Sequence, residues 1–348
     1  MAAWQKLIKN SIQLPSQIEL QYNQDVDGMG EVCRTYPMRI NPYYFNLIQQ
    51  VGDPLWRQAV PDIRELQDET GMNDPLDEEN LSPVPNLIHK YPDRVVFLVN
   101  NQCAMYCRFC TRKRKVGQPD MQITDATIKN SLDYVRKNRQ VREVLLSGGD
   151  PLLLSNQRLE KILREVRGIK TVEVIRIGTR VPCTLPMRIT GNLANMLKKY
   201  HPLYINTHFN HPAEVTPEAA IACSRLADAG IALGCQTVLL KGVNDDKEII
   251  QELMCKLLRI RVRPYYLFQA DLTRGTEHFR TPIAKGLEIM RHLIGRVSGM
   301  AVPTFALDAP GGGGKIPLTP EYITSLNDDS LDFLNYQGKP FTYPNCRC

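Results

Sequence analysis

Six short apolar runs set the rhythm of this chain: Val95–Val99, Glu143–Ser147, Val172–Ile177, Leu203–Asn206, Leu233–Leu240 and Val262–Phe268. They are rich in β-branched and aromatic residues, and most start about 30 residues after the last, the span of one strand, one helix and their loops. The stretches 124–137, 156–167, 217–229, 247–258 and 283–294 carry apolar residues at helical spacing. Six βα units in a row predict an α/β fold with a parallel sheet, a partial (β/α)6-type barrel. In such a sheet the chemistry belongs at the C-terminal ends of the strands.

The remaining sequence divides around this core. Residues 1–92 predict a helical, then loop-rich, N-terminal extension. Trp4, Leu7, Ile8 and Ile12 give it an amphipathic start, and residues 74–92, with prolines at 75, 83, 85 and 92, read as a connector. The barrel is expected over 93–315 and a short arm over 316–348. Hydrophobic residues at 43% and charged residues at 23% exclude disorder for the chain as a whole.

The net charge of +6, from 43 basic and 37 acidic side chains, is too diffuse to predict a nucleic-acid partner. The run Arg112-Lys113-Arg114-Lys115 is a local exception, for which a solvated face is the first expectation. The N-terminus has no apolar h-region and no long apolar run occurs, so a cytoplasmic protein without a membrane partner is expected. Ten cysteines in that setting read as thiols or metal ligands. Cys33, Cys183, Cys223, Cys235 and Cys255 stand alone, as small buried apolar residues do.

Three other cysteines, Cys103, Cys107 and Cys110, fall on the loop after the first run. Three thiolates so close can converge on one soft metal centre, and no second pair lies nearby to complete a zinc ribbon. Three ligands leave a site open, which suits a four-iron, four-sulfur cluster whose fourth iron binds a small molecule. The second run ends in Ser147-Gly148-Gly149-Asp150, where glycines allow a polar head to approach the backbone and Asp150 could accept from an ammonium. Ordinary turn chemistry explains that tetrapeptide equally well. Late in the chain stands Asp308-Ala-Pro-Gly311-Gly312-Gly313-Gly314-Lys315. Its amides could hold an anion and its lysine could form a Schiff base. Ile316 stands where a nucleotide-binding Gly-x4-Gly-Lys-Ser/Thr loop needs a hydroxyl residue.

The cysteine spacing, with Phe109 before the third cysteine, resembles the radical S-adenosylmethionine (SAM) superfamily. Together with Ser147–Asp150, Asn206–Pro212, Arg261–Tyr266 and Asp308–Lys315, in this order, it resembles the lysine 2,3-aminomutase family over nearly the whole chain. That resemblance implies a cluster on Cys103, Cys107 and Cys110, SAM near Ser147, Gly148, Gly149, Asp150, Arg180, His208 and Gln236, and pyridoxal 5′-phosphate (PLP) on Lys315 beside Gly311–Gly314. It further implies Arg112 for the substrate α-carboxylate, and Asp271 and Asp308 for the distal ammonium of lysine. The reaction implied is interconversion of L-lysine and β-lysine by 1,2-amino migration. An electron donor such as flavodoxin or ferredoxin and a homo-oligomer are expected with it.

Two rivals stand beside this reading. One is the same chemistry on arginine or, against the repulsion of two aspartates, glutamate; the other is a non-catalytic iron–sulfur protein that keeps the fold. The pattern also departs from the family where relatives bind zinc. Asp246 occupies a position at which they carry a cysteine, and Cys346 and Cys348 alone remain of the C-terminal cluster. A tetrahedral zinc site needs about four ligands, so the donor set for zinc and for a zinc-linked tetramer is incomplete.

Overall fold

A computed structural model describes residues 2–22, 28–119 and 121–346. Five short helices open it: α1 Ala3–Lys9, α2 Pro15–Tyr22, α3 Met29–Thr35, α4 Pro42–Phe45 and α5 Pro54–Ala59. The sheet follows as β1 Leu87–Tyr91, β2 Arg94–Asn100, β3 Glu143–Gly148, β4 Val174–Gly178, β5 Leu203–Thr207, β6 Ala232–Leu239, β7 Arg263–Gln269, β8 Thr304–Ala309 and β9 Gly314–Pro317. These nine strands pair in sequence order. From β2 to β8 every neighbour is parallel, while β1 and β9 add antiparallel edges.

The crossovers are α6 Asp125–Lys137, α7 Asn156–Arg167, α8 Val181–Thr184 with α9 Gly191–Leu197, α10 Pro217–Asp228, α11 Lys247–Arg259 and α12 Ile283–Leu293. All six predicted βα units are present, and they close on a seventh parallel strand, β8, that was not among the six runs. Its residues overlap the short apolar run Val302–Leu307 before the glycines, which was not counted as a strand; Pro303 and Pro310 flank it and Asp308 lies within it. The β4–β5 crossover also lacked a helical signal, because Pro182, Pro186 and Gly191 break it into short pieces.

Local chemistry explains where the helices begin. Thr124, Ser155, Thr216 and Asp246 each accept a backbone N–H of the first turn of the helix that follows. Ile250, Leu253, Met254 and Leu257 then place one apolar stripe of α11 against the sheet. Along the strands the period is two. Val144 and Leu146 of β3 enter the core under the helices, whereas Leu145 and Ser147 face an interior cavity.

Both divisions read from sequence, at 92/93 and 315/316, fall within the paired sheet. The connector 74–92 contributes β1, which pairs with β2, so the sheet begins inside the expected extension. The extension joins the same core through Ile12, Ile18, Ile40, Phe45 and Leu55. The arm after β9 forms a separate three-stranded antiparallel sheet, β10 Ile323–Leu326, β11 Ser330–Leu334 and β12 Pro340–Pro344. Cys183, Cys223 and Cys235 are buried as expected, and Cys33 and Cys255 are half-buried. Cys346 is exposed, and Cys348 lies outside the described residues.

Candidate active site

A cavity of about 580 Å³ fills the barrel mouth, lined by the inward residues of β2–β8 and the loops at their C-terminal ends. It holds Cys103, Cys107, Cys110, Arg112, Ser147, Gly148, Gly149, Asp150, Arg180, His208, Gln236, Asp271, Asp308 and Lys315. Five different strand-to-helix loops, strand β6 and one hairpin thus bring the sequence motifs to a single space. Gly311–Gly314 are absent from its lining.

The cysteine loop rests on the N-terminal extension. The Tyr106 amide donates to the Arg39 carbonyl, the Arg108 amide to the Gln58 carbonyl, and Asn41 Nδ2 to the Ala104 carbonyl. Below it, Glu65 accepts from Arg108 Nε at 2.8 Å and from Lys113 Nζ at 2.8 Å, all three being buried. Burial pushes the Cys103 thiol well up and Cys110 to about 11, helped by the neighbouring thiols. Such thiols stay protonated near neutral pH until a metal displaces the proton. No three His, Cys, Asp or Glu side chains among the described residues are grouped tightly enough to clasp a single ion. Three thiols around a shared cavity fit a larger polynuclear centre.

The glycines of Ser147–Asp150 line the cavity and also meet a steric need of the backbone. A side chain on Gly149 would put its Cβ 2.5 Å from the Gln102 carbonyl oxygen, and Gly148 has φ +123 with Asn100 backbone against it. They let the β3 loop lie on the cysteine loop, where the Gly149 and Asp150 amides donate to Asn100 and Gln102 carbonyls. The Asp150 carboxylate likewise turns inward. It accepts from Thr179 Oγ1 at 2.7 Å and from the Arg180 and Leu152 amides, so it is already engaged within the ligand-free chain. Its pKa is raised by burial.

Arg180 Nη1 donates to Cys107 Sγ at 2.8 Å, and Nη2 donates to Gln58 and Glu214. His208 stacks near Phe109 and meets Asn210 through Nε2; burial first and Arg180 second push it down to about 3, so it is neutral. Arg180 Nε, Asn206 Nδ2 and Thr207 Oγ1 are buried with no protein partner, and all three residues line the cavity. A polar ligand here would satisfy them. Gln236 lines the same wall from β6.

At the other wall Asp271 accepts from Thr111 Oγ1 at 2.8 Å. Burial, then the charge of Asp308, pushes it up to about 6. Asp308 and Lys315 are paired positions on β8 and β9, and their side chains form an ion pair. The four glycines make the β8–β9 turn: Gly311, Gly312 and Gly314 have positive φ, and the Gly311 and Gly313 amides donate to the Pro75 and Ala309 carbonyls. Two of the amides expected to hold an anion are thus spent inside the protein.

The basic run is also corrected. Lys113 is buried, lowered to about 8 by desolvation, and bound by Glu65; Arg114 pairs with Asp74, and Lys115 with Glu79. Arg112 itself meets Glu78, a residue of the connector that sequence reasoning passed over. The acidic residues Asp74, Asp77, Glu78 and Glu79, opposite in sign to 112–115, were the available signal. Lys90, Arg94 and Arg176 at the cavity edge were missed as well. Arg176, a charge inside an apolar run, was the clearest hint.

Residues 97–253 match the model of the radical SAM superfamily, which defines the class of protein to which this barrel and its cysteine loop belong. Residues 290–347 match a family model described as lysine-2,3-aminomutase. The chain is 49% identical over 347 residues to L-lysine 2,3-aminomutase of Fusobacterium nucleatum, covering 98% of this chain and 81% of that protein. It is 52% identical over 321 residues to the enzyme of that name from Methanococcus maripaludis, covering 89% and 74%. Glutamate 2,3-aminomutase of Clostridioides difficile is 47% identical over 318 residues, covering 91% and 75%. The chain belongs to the lysine 2,3-aminomutase family.

Proposed function

We propose that this protein moves the α-amino group of L-lysine to the neighbouring carbon, giving β-lysine, with a four-iron, four-sulfur cluster, SAM and PLP. The observation that carries the reading is that the three thiols, Arg112, Asp271, Asp308 and Lys315 all line one cavity, Asp308 and Lys315 as direct partners on β8 and β9. When bound, the cluster and SAM supply a hydrogen-abstracting radical and PLP supplies the π-system over which nitrogen moves.

Cys103, Cys107 and Cys110 would hold the cluster. The unpartnered donors of Arg180, Asn206 and Thr207 favour SAM on that wall. Lys315 would carry PLP, and the cations Lys90, Arg94 and Arg176 at the cavity edge suit its phosphate. Arg112 would take the substrate α-carboxylate. Asp308, which pairs with Lys315 in the ligand-free chain, would take the distal ammonium of the substrate together with Asp271. The cavity walls would hold the reacting groups close.

Lysine is favoured over glutamate because Asp271 and Asp308 repel a side-chain carboxylate. An electron donor of the flavodoxin or ferredoxin kind, a homo-oligomer and a cytoplasmic setting accompany the reading. No helix among the described residues is long and apolar enough to cross a membrane. The test is an anaerobic assay with reconstituted cluster, SAM and PLP, offering lysine, arginine and glutamate separately. β-Lysine from lysine at the highest kcat/KM is the expected outcome; preference for either other amino acid would overturn the substrate.

A further inference from the structure

Glu78 reaches the cavity from a turn that no motif includes, and it is 4% exposed. Its carboxylate receives Arg112 Nε at 2.9 and 3.1 Å and Arg112 Nη2 at 2.6 Å. A guanidinium offers two forks of parallel N–H groups, one through Nε and Nη2 and one through Nη1 and Nη2. Glu78 fills the first. The second is left with a 3.3 Å contact from Nη1 to Ser147 Oγ, a residue that lines the cavity.

The turn that carries Glu78 is itself tied down on two sides. Its Pro75 carbonyl accepts the Gly311 amide of the Lys315 hairpin, and its Leu81 carbonyl accepts the His89 amide of β1. Gly312 lies against Leu81 and Asp77. On the opposite side Asp74 and Glu79 pair with Arg114 and Lys115. One short segment therefore spans from the cysteine loop to the hairpin of Lys315.

We infer that Glu78 is a positioning residue for substrate recognition: it clamps the Nε edge of Arg112 so that the Nη1 edge stays aimed at the substrate carboxylate, in register with Lys315. The inference rests on the assignment of Arg112 to that carboxylate. Glu78 touches no substrate in this scheme. Glu78→Gln keeps one acceptor oxygen but loses the charge and turns an N–H group toward the Nε edge in place of Oε2, which weakens the clamp. Glu78→Asp retains the charge with a shorter reach.

The experiment is calorimetric binding of L-lysine and of L-lysinamide, which lacks the carboxylate, to PLP-loaded protein without SAM. Wild type should prefer lysine, and Glu78→Gln should weaken lysine on the order of tenfold while changing lysinamide less than about twofold. Glu78→Asp should recover part of the lysine affinity, and it keeps the test available if Glu78→Gln does not fold. Equal losses for both ligands, or no loss for lysine, would overturn the role of Glu78 alone. A wild type that binds lysine and lysinamide equally would instead overturn the assignment of Arg112, and the positioning role with it.

Discussion

Lys315 Nζ lies 2.9 Å from Asp308 Oδ2, across a hairpin in which the two residues are direct antiparallel partners. A lysine ammonium on that carboxylate is the same chemistry that a substrate ammonium would need. Lys315→Ala is expected to lose cofactor trapped by borohydride reduction, read by mass spectrometry of the labelled peptide. Asp308→Asn should retain labelling at Lys315 and raise KM for lysine by about tenfold or more, since an ion pair in a closed site is replaced by a neutral contact. Label on another lysine in wild type would remove the assignment of Lys315.

Replacing Cys103, Cys107 or Cys110 by Ala should abolish the brown chromophore and reductive cleavage of SAM, with PLP binding retained. Iron content and PLP absorbance, measured on the same preparation, separate the two effects. Normal iron with SAM turnover in any one variant would exclude a cluster on these thiols.

Gly149→Ala tests whether the β3 loop supports the cysteine loop. The new methyl would stand 2.5 Å from the Gln102 carbonyl oxygen and 2.6 Å from its amide nitrogen, so backbone must move. A loss of roughly 1–3 kcal/mol in chemical denaturation is expected, together with less iron retained per chain. Wild-type stability and iron would show that the loop gives way freely.

Glu65 holds two cations in a dry space, Arg108 at 2.5 Å and Lys113 at 2.8 Å. Glu65→Gln leaves both without a counter-charge, and a buried pair broken on one side costs about 3–5 kcal/mol. Urea unfolding should show a lower midpoint with an unchanged slope. A change of less than about 0.5 kcal/mol would mean that water reaches the triad.

Asp271 gives a signed pH dependence. Its carboxyl is pushed up to about 6 from the ordinary value of 3.8, by burial first and Asp308 second. Between those values the folded chain holds a proton that the unfolded chain has released, so stability falls as pH rises, in total on the order of 3 kcal/mol. Asp271→Asn removes this loss. Unfolding free energies of the ligand-free proteins should favour the variant near pH 7.5 and converge near pH 4. Parallel profiles for the two proteins would contradict the shift.

Local spacing determined much of this protein before any fold was known. The period of strands and helices depends on residues a few positions apart, and so α6, α7, α10, α11 and α12 were legible to within a residue or two. The spacing Cys103, Cys107, Cys110 and the run Gly311 to Lys315 are equally local, and each named its chemistry through a family resemblance. Tertiary structure alone decided which charges meet. Arg112 finds Glu78, and Lys113 finds Glu65, across gaps of 34 and 48 residues that carry no periodic signal. It also decided that Gly149 lies against Gln102 and that Asp150 turns inward to Thr179. The physical reason is that an ion pair or a close backbone approach is set by where two loops end in space, and sequence order constrains that only through the whole packed barrel.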